Sequence, residues 1–86
     1  MKKVTKFFKA LANDRRIEIL KLLHEKNDEM TVGEISKQIS LSFKSTSKHL
    51  LILENVNLVK RRQEGAEVFY SLNKEIVEKL FSLLDF

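Results

Sequence analysis

Proline occurs nowhere in the sequence, and glycine occurs only at positions 33 and 65. Proline breaks helices and glycine loosens them, so a chain almost without either has few places to stop. It is predicted to be mostly helical, with its turns carried by polar residues. Its 86 residues suit a single domain spanning 1–86, inside the usual range of about 50–250 residues. A chain this short buries only about 60–65% of its unfolded surface, so pairing with a second copy would add stability.

Cysteine is absent, which excludes disulfides, thiol catalysis and thiolate metal sites. No stretch approaches the roughly 20 apolar residues of a membrane span. The opening "MKKVTKFFKAL" starts like the basic region of a signal peptide, but Lys6 and Lys9 interrupt any apolar core. Val4, Phe7, Phe8 and Leu11 recur at helical spacing, so the segment is expected to be an amphipathic helix of a soluble, cytoplasmic protein.

Asn13 is suited to cap the next helix, with Asp14 in its first turn. That helix, "DRRIEILKLLHE", is apolar around most of its circumference (Ile17, Ile19, Leu20, Leu22, Leu23) and is expected to be central. Polar "EKNDEM" ends it. Thr31 and Glu34 have capping-box spacing and open a short helix from Val32 to Ile39. "SLS" makes a tight connection, and Ser42 caps a helix from Phe43 to about Asn55. Two helices so joined form a helix-turn-helix unit.

Past Asn57 the period changes. "LVKRRQ" and "EVFYSL" read as strands of a hairpin turning at "EGA". Asn73 then caps a last helix, "KEIVEKLFSLLDF". The order is α-α-α-α-β-β-α: mainly α with a small β-hairpin, a winged helix-turn-helix.

Charge is localised. Residues 43–63 carry Lys44, Lys48, Lys60, Arg61 and Arg62 against only Glu54, an excess as large as the whole chain's +4. A concentrated basic patch is the electrostatic signature of a polyanion partner, nucleic acid above all. Within it lies "SFKSTSKHL", where hydroxyls and cations replace good helix formers. Phe43, Thr46, Leu50 and Leu53 recur at spacings of three and four and should face the core, leaving Lys44, Ser45, Ser47 and Lys48 outward. Short hydroxyls permit close approach to base edges, and lysines suit phosphates. The candidate contacts to double-stranded DNA are Ser42, Lys44, Ser45, Thr46, Ser47, Lys48 and His49 on the helix, with Lys60, Arg61, Arg62 and Gln63 on the wing. His49 fits equally well half-buried with one ring nitrogen satisfied.

The blocks "FFKALANDRRIEILKLL", "LSFKSTSKHLLILENVNLV" and "EGAEVFYSL", which together span Phe7 to Leu72, resemble the ArsR/SmtB family of arsenic-repressor-like winged-helix regulators. The resemblance implies a homodimer, formed by the first and last helices, that binds a pseudo-palindromic operator and represses transcription. It also implies a recognition helix at Ser42–Leu53 and a wing at Lys60–Tyr70. The chain departs from the family's metal sensors. Thr31 and Gly33 stand where those members carry paired cysteines, and the last helix offers Glu75, Glu78 and Asp85 but no histidine. Soft metals need thiolate, and zinc usually needs nitrogen or sulfur, so neither metal nor cofactor is expected. Ala66 replaces the arginine common after the wing glycine.

No phosphate loop, Ser/His/Asp set or HExxH-like cluster supports an enzyme. Arg15 and Arg16 are expected to face solvent or pair across a dimer; Glu25, Asp28 and Glu29 read as a solvated acidic loop. The dimer face is assigned to Val4, Phe7, Phe8, Leu11, Ile76, Val77, Leu80, Phe81 and Leu84, since the terminal helices carry more apolar surface than one small core readily uses. The competing function is a winged-helix protein-interaction module, which Leu51 on the outward side would suit.

Overall fold

In a computed structural model, residues 2–84 are described, with Leu84 described in its backbone only. The described elements are α1 (Lys2–Leu11), α2 (Asp14–Lys26), β1 (Met30–Thr31), α3 (Val32–Gln38), α4 (Phe43–Asn55), β2 (Val59–Glu64), β3 (Glu67–Leu72) and α5 (Lys74–Leu84). The hairpin is joined by a strand absent from the expected order. Two-residue β1 pairs antiparallel with β3, Met30 opposite Tyr70 and Thr31 opposite Phe69, giving sheet order β1-β3-β2. Two residues carry no periodicity, so only the distant partner strand makes Met30–Thr31 a strand.

The helix boundaries follow local chemistry. The Asn13 side chain accepts the Arg16 N–H at 3.1 Å, opening α2. Asn27 closes it in the left-handed region at φ 52°, a conformation asparagine tolerates. The Thr31 hydroxyl accepts the Glu34 N–H (3.1 Å) while the Glu34 carboxylate accepts the Thr31 N–H (2.8 Å), a complete capping box. Ser42 accepts the Ser45 N–H at 3.1 Å and opens α4. Asn57 adopts φ 62° where α4 gives way to β2, and Gly65 adopts φ 60° in the hairpin turn. Asn73 stands before α5 with its backbone carbonyl taking the Val77 N–H, but its side-chain amide donates to the Asn57 carbonyl at 2.9 Å. It therefore ties α5 to the end of α4 rather than serving as a local cap alone.

The core lies where α2 packs against α4 and the sheet. Ile19, Leu20 and Leu23 of α2 pack with Ile35, Leu50, Leu53, Leu58 and Val77, all fully buried. Each such side chain contributes about 1.5–3 kcal/mol through removal from water. Leu50 and Leu53 are the anchors that matter for function, because they fix the roll of α4 and hence which of its side chains face outward.

Candidate nucleic-acid interface

The turn between α3 and α4 is tightly closed. The Leu41 N–H reaches the Ser36 carbonyl at 3.0 Å, and Ser40 adopts φ 54°. The Arg15 guanidinium reaches from α2 to the Ile39 carbonyl at 2.6 Å and pins the turn to the core. Beyond it, α4 presents Lys44 and Lys48 fully outward, with Ser45 and Ser47 half-buried at the edges of that face. Leu51 is 52% exposed, on the outward side as its position suggests.

Two members of "SFKSTSKHL" are placed otherwise than expected. Thr46, included among the DNA contacts, is 0% exposed and its hydroxyl has no hydrogen-bond partner, so it cannot touch a duplex. It lies between Leu50 and Leu53 on the inward stripe, where helical spacing alone put it. Phe43, expected to face the core, is 61% exposed. It is the first residue of α4 and lines an open groove beside the wing. His49 takes the half-buried alternative: its Nδ1 lies 3.1 Å from an Arg16 Nη1, the ring accepting from the guanidinium.

On the wing, Lys60, Arg61, Arg62 and Gln63 are all exposed. Arg62, however, is engaged within the chain. Its guanidinium forks onto Glu29 (3.0 and 2.6 Å), donates to Glu64 (2.6 Å) and lies 4.6 Å from the centre of the Phe69 ring. The Arg62 hydrogen bonds hold the Glu29 carboxyl below its ordinary range, and the two carboxylates in turn raise the Arg62 pKa. Glu29 is thus a wing brace rather than part of a solvated loop. Gln63 bridges Arg61 (3.4 Å) and the Gly65 carbonyl (3.3 Å), steadying the turn. With Arg62 matched by two acids, Lys60 and Arg61 carry the wing's outward positive field.

Residues 13–61, more than half of the chain, match the model of the bacterial regulatory protein arsR family. The chain belongs to the ArsR family. Its homologues are transcriptional regulators with a winged helix-turn-helix DNA-binding fold. The transcriptional activator HlyU of Vibrio cholerae is 39% identical over 82 residues, covering 95% of this chain and 74% of HlyU. The transcriptional repressor SdpR of Bacillus subtilis is 35% identical over 71 residues, covering 83% of this chain and 77% of SdpR. The solution structure of the homodimeric winged helix-turn-helix DNA-binding domain of Mb0332 from Mycobacterium bovis superposes with a TM-score of 0.85 at 34% identity, covering 98% of this chain and 76% of that one.

The two arginines that open α2 of this ArsR-family chain were missed as functional supports. Arg16 donates Nε to the Ala10 carbonyl (2.6 Å), Nη2 to the Lys9 carbonyl (3.1 Å) and Nη1 to His49. One guanidinium therefore closes the end of α1 and fastens it to α4. Nothing local marks this role, because His49 lies 33 residues away. Burial, then the Arg16 and Arg15 charges, lower the His49 pKa below 6.5. The folded chain thus binds the His49 proton less well than the unfolded chain does. The neutral ring's contribution to stability is complete above about pH 6.5 and is lost as pH falls through the folded-state pKa. Arg16→Ala is expected to cost about 1–3 kcal/mol in urea unfolding, since it removes the guanidinium from the half-buried Ala10 carbonyl and the His49 ring nitrogen. Arg16→Lys should recover little, because an ammonium lacks the planar fork. In the alanine variant the His49 titration, followed by NMR, should move upward. A cost below about 0.5 kcal/mol would mean the clamp is ornamental.

The terminal helices divide their apolar residues between core and surface. Val77 is fully buried inside its own chain, which corrects its assignment to a dimer face; Phe81 is nearly buried but lines the apolar groove beside Phe8. Phe7, Leu11 and Leu80 are half-buried against the core. Val4, Phe8 and Ile76 remain exposed, as does Leu83, which was not assigned to that face. Leu84, also assigned there, has a side chain outside those described, and Asp85 lies beyond the described residues.

Proposed function

We propose that this chain is a homodimeric, sequence-specific repressor that reads a pseudo-palindromic operator. The observation that carries this reading is the roll of α4: Leu50 and Leu53 lock one side inward, and Lys44, Ser45, Ser47 and Lys48 stand on the other. Ser42, Lys60, Arg61 and Gln63 flank that face from the cap and the wing. In the dimer, Val4 and Phe8 of α1 and Ile76 and Leu83 of α5 would meet their counterparts. The homodimeric state named for the Mb0332 domain supports the pairing. Repression needs no more than occupancy, since a dimer seated over a promoter excludes polymerase by bulk. That is the simplest output for a surface built to grip DNA.

Two recognition helices related by a two-fold axis enter successive major grooves about 34–36 Å apart, or 10–10.5 bp. Selection from a random duplex pool at low salt is therefore expected to return a two-fold symmetric motif with half-sites at that spacing. Failure to enrich any motif, with no mobility shift of unselected duplex, would put the protein-interaction reading ahead; exposed Leu51 is the feature that favours it.

A further inference from the structure

Phe43 is an anomaly on this surface. A phenylalanine that is 61% exposed forfeits much of its burial energy, and it adjoins Lys44 in the chain and shares a groove with Arg61. It lines a shallow groove between α4 and the wing together with Ser47, Leu51, Arg61 and Val68. It is not part of the exposed apolar set on α1 and α5, so pairing of two copies through those helices leaves it uncovered.

We infer that Phe43 reads thymine, through contact of its ring with the C5-methyl group in the major groove. The inference rests on the proposed DNA-binding function and adds a specificity residue to it. Three observations converge. Phe43 is the first residue of α4, directly after the Ser42 cap, and recognition helices touch base edges with their N-terminal residues. Its cationic neighbours favour an anionic partner, while the ring itself favours an apolar one. The major groove supplies both within a few ångströms: phosphates along its walls and, on thymine alone among the four bases, a methyl group that phenylalanine can contact. The side chain can neither donate nor accept a hydrogen bond, so a methyl group is the only base feature it can distinguish. An apolar pocket on a protein partner could cover the ring but would have to be rimmed by acids to tolerate the lysines.

The test uses the operator recovered by selection. Each thymine in a half-site is replaced in turn by deoxyuridine, which lacks only the C5-methyl, and binding is followed by fluorescence anisotropy. For the wild-type dimer, replacing one such thymine in one half-site should weaken binding about fourfold, the factor equivalent to ~0.8 kcal/mol per buried carbon group. In Phe43→Ala and Phe43→Gln that replacement should have no effect. Lys48→Ala should bind more weakly overall yet keep the thymine-to-deoxyuridine step. Exposure of Phe43 means that both variants should melt as the wild type does. The inference is overturned, with DNA reading intact, if no thymine shows the step or if the Phe43 variants show it undiminished. Absence of any selected operator would instead overturn the DNA-binding reading along with it.

Discussion

Raising the salt from 50 to 200 mM should weaken operator binding by about four orders of magnitude. Each protomer presents Lys44, Lys48, Lys60 and Arg61 outward from α4 and the wing. Two protomers on one operator would then neutralise about eight phosphates, and the logarithm of affinity would fall with the logarithm of salt at a slope near −7. Lys48→Ala removes one cation from each protomer and should flatten that slope by about two units. Arg62→Ala should change it less, because that guanidinium already faces Glu29 and Glu64. Anisotropy titrations across the salt range measure all three slopes. A wild-type slope shallower than about −3 would mean that the basic face of α4 is not against the backbone.

The second large effect concerns pairing. Phe8→Glu should convert the protein to a monomer of 10.1 kDa at micromolar concentration, read by sedimentation. Phe8 is 60% exposed and stacks edge-on against Phe7, their ring centres 5.6 Å apart. It borders a groove of about 290 Å³ lined by Leu11, Ala12, Ile17, Leu20, Leu80 and Phe81, almost wholly apolar. A carboxylate there has no cation assigned to it and would be buried against the partner's apolar face, a prohibitive cost. Capture of the second half-site by a dimer is intramolecular, so its loss should lower operator affinity by about 10²–10⁴ while leaving half-site affinity unchanged. The isolated fold should be little affected, since surface substitutions usually stay within ±0.5 kcal/mol. A Phe8→Glu protein that remains dimeric would place the pairing surface elsewhere.

Both effects depend on side chains whose outward direction was only partly readable from the chain. The helices themselves were readable, because their determinants lie within three or four residues of one another. Asn13 with Arg16, Thr31 with Glu34 and Ser42 with Ser45 form caps at those separations. The α4 stripe of Thr46, Leu50 and Leu53 repeats at helical spacing, and its burial follows from that repeat. The wing hairpin was equally accessible, since two β-rich runs flank a glycine in a left-handed turn. These features need only local geometry, and residues 42–55 already contained the lysine and hydroxyl face.

Tertiary structure decided the rest, because it depends on groups that no local pattern brings together. Phe43 obeys the spacing of the inward stripe yet ends up exposed, since burial requires protein beneath the helix and not only the right angle on it. Val77 and Phe81 share an apolar face with Ile76, but the core cluster takes the first two and leaves the third outside. Arg16 meets His49, and Glu29 meets Arg62, each across 33 residues of chain. A charge searching for a partner is satisfied by whichever acceptor the fold delivers, so an arginine at a helix start became a clamp and a wing cation became part of a brace. The chain's local code settled which segments would be helix, turn and strand; packing of α2 against α4 and the sheet chose which of their side chains remain to meet DNA.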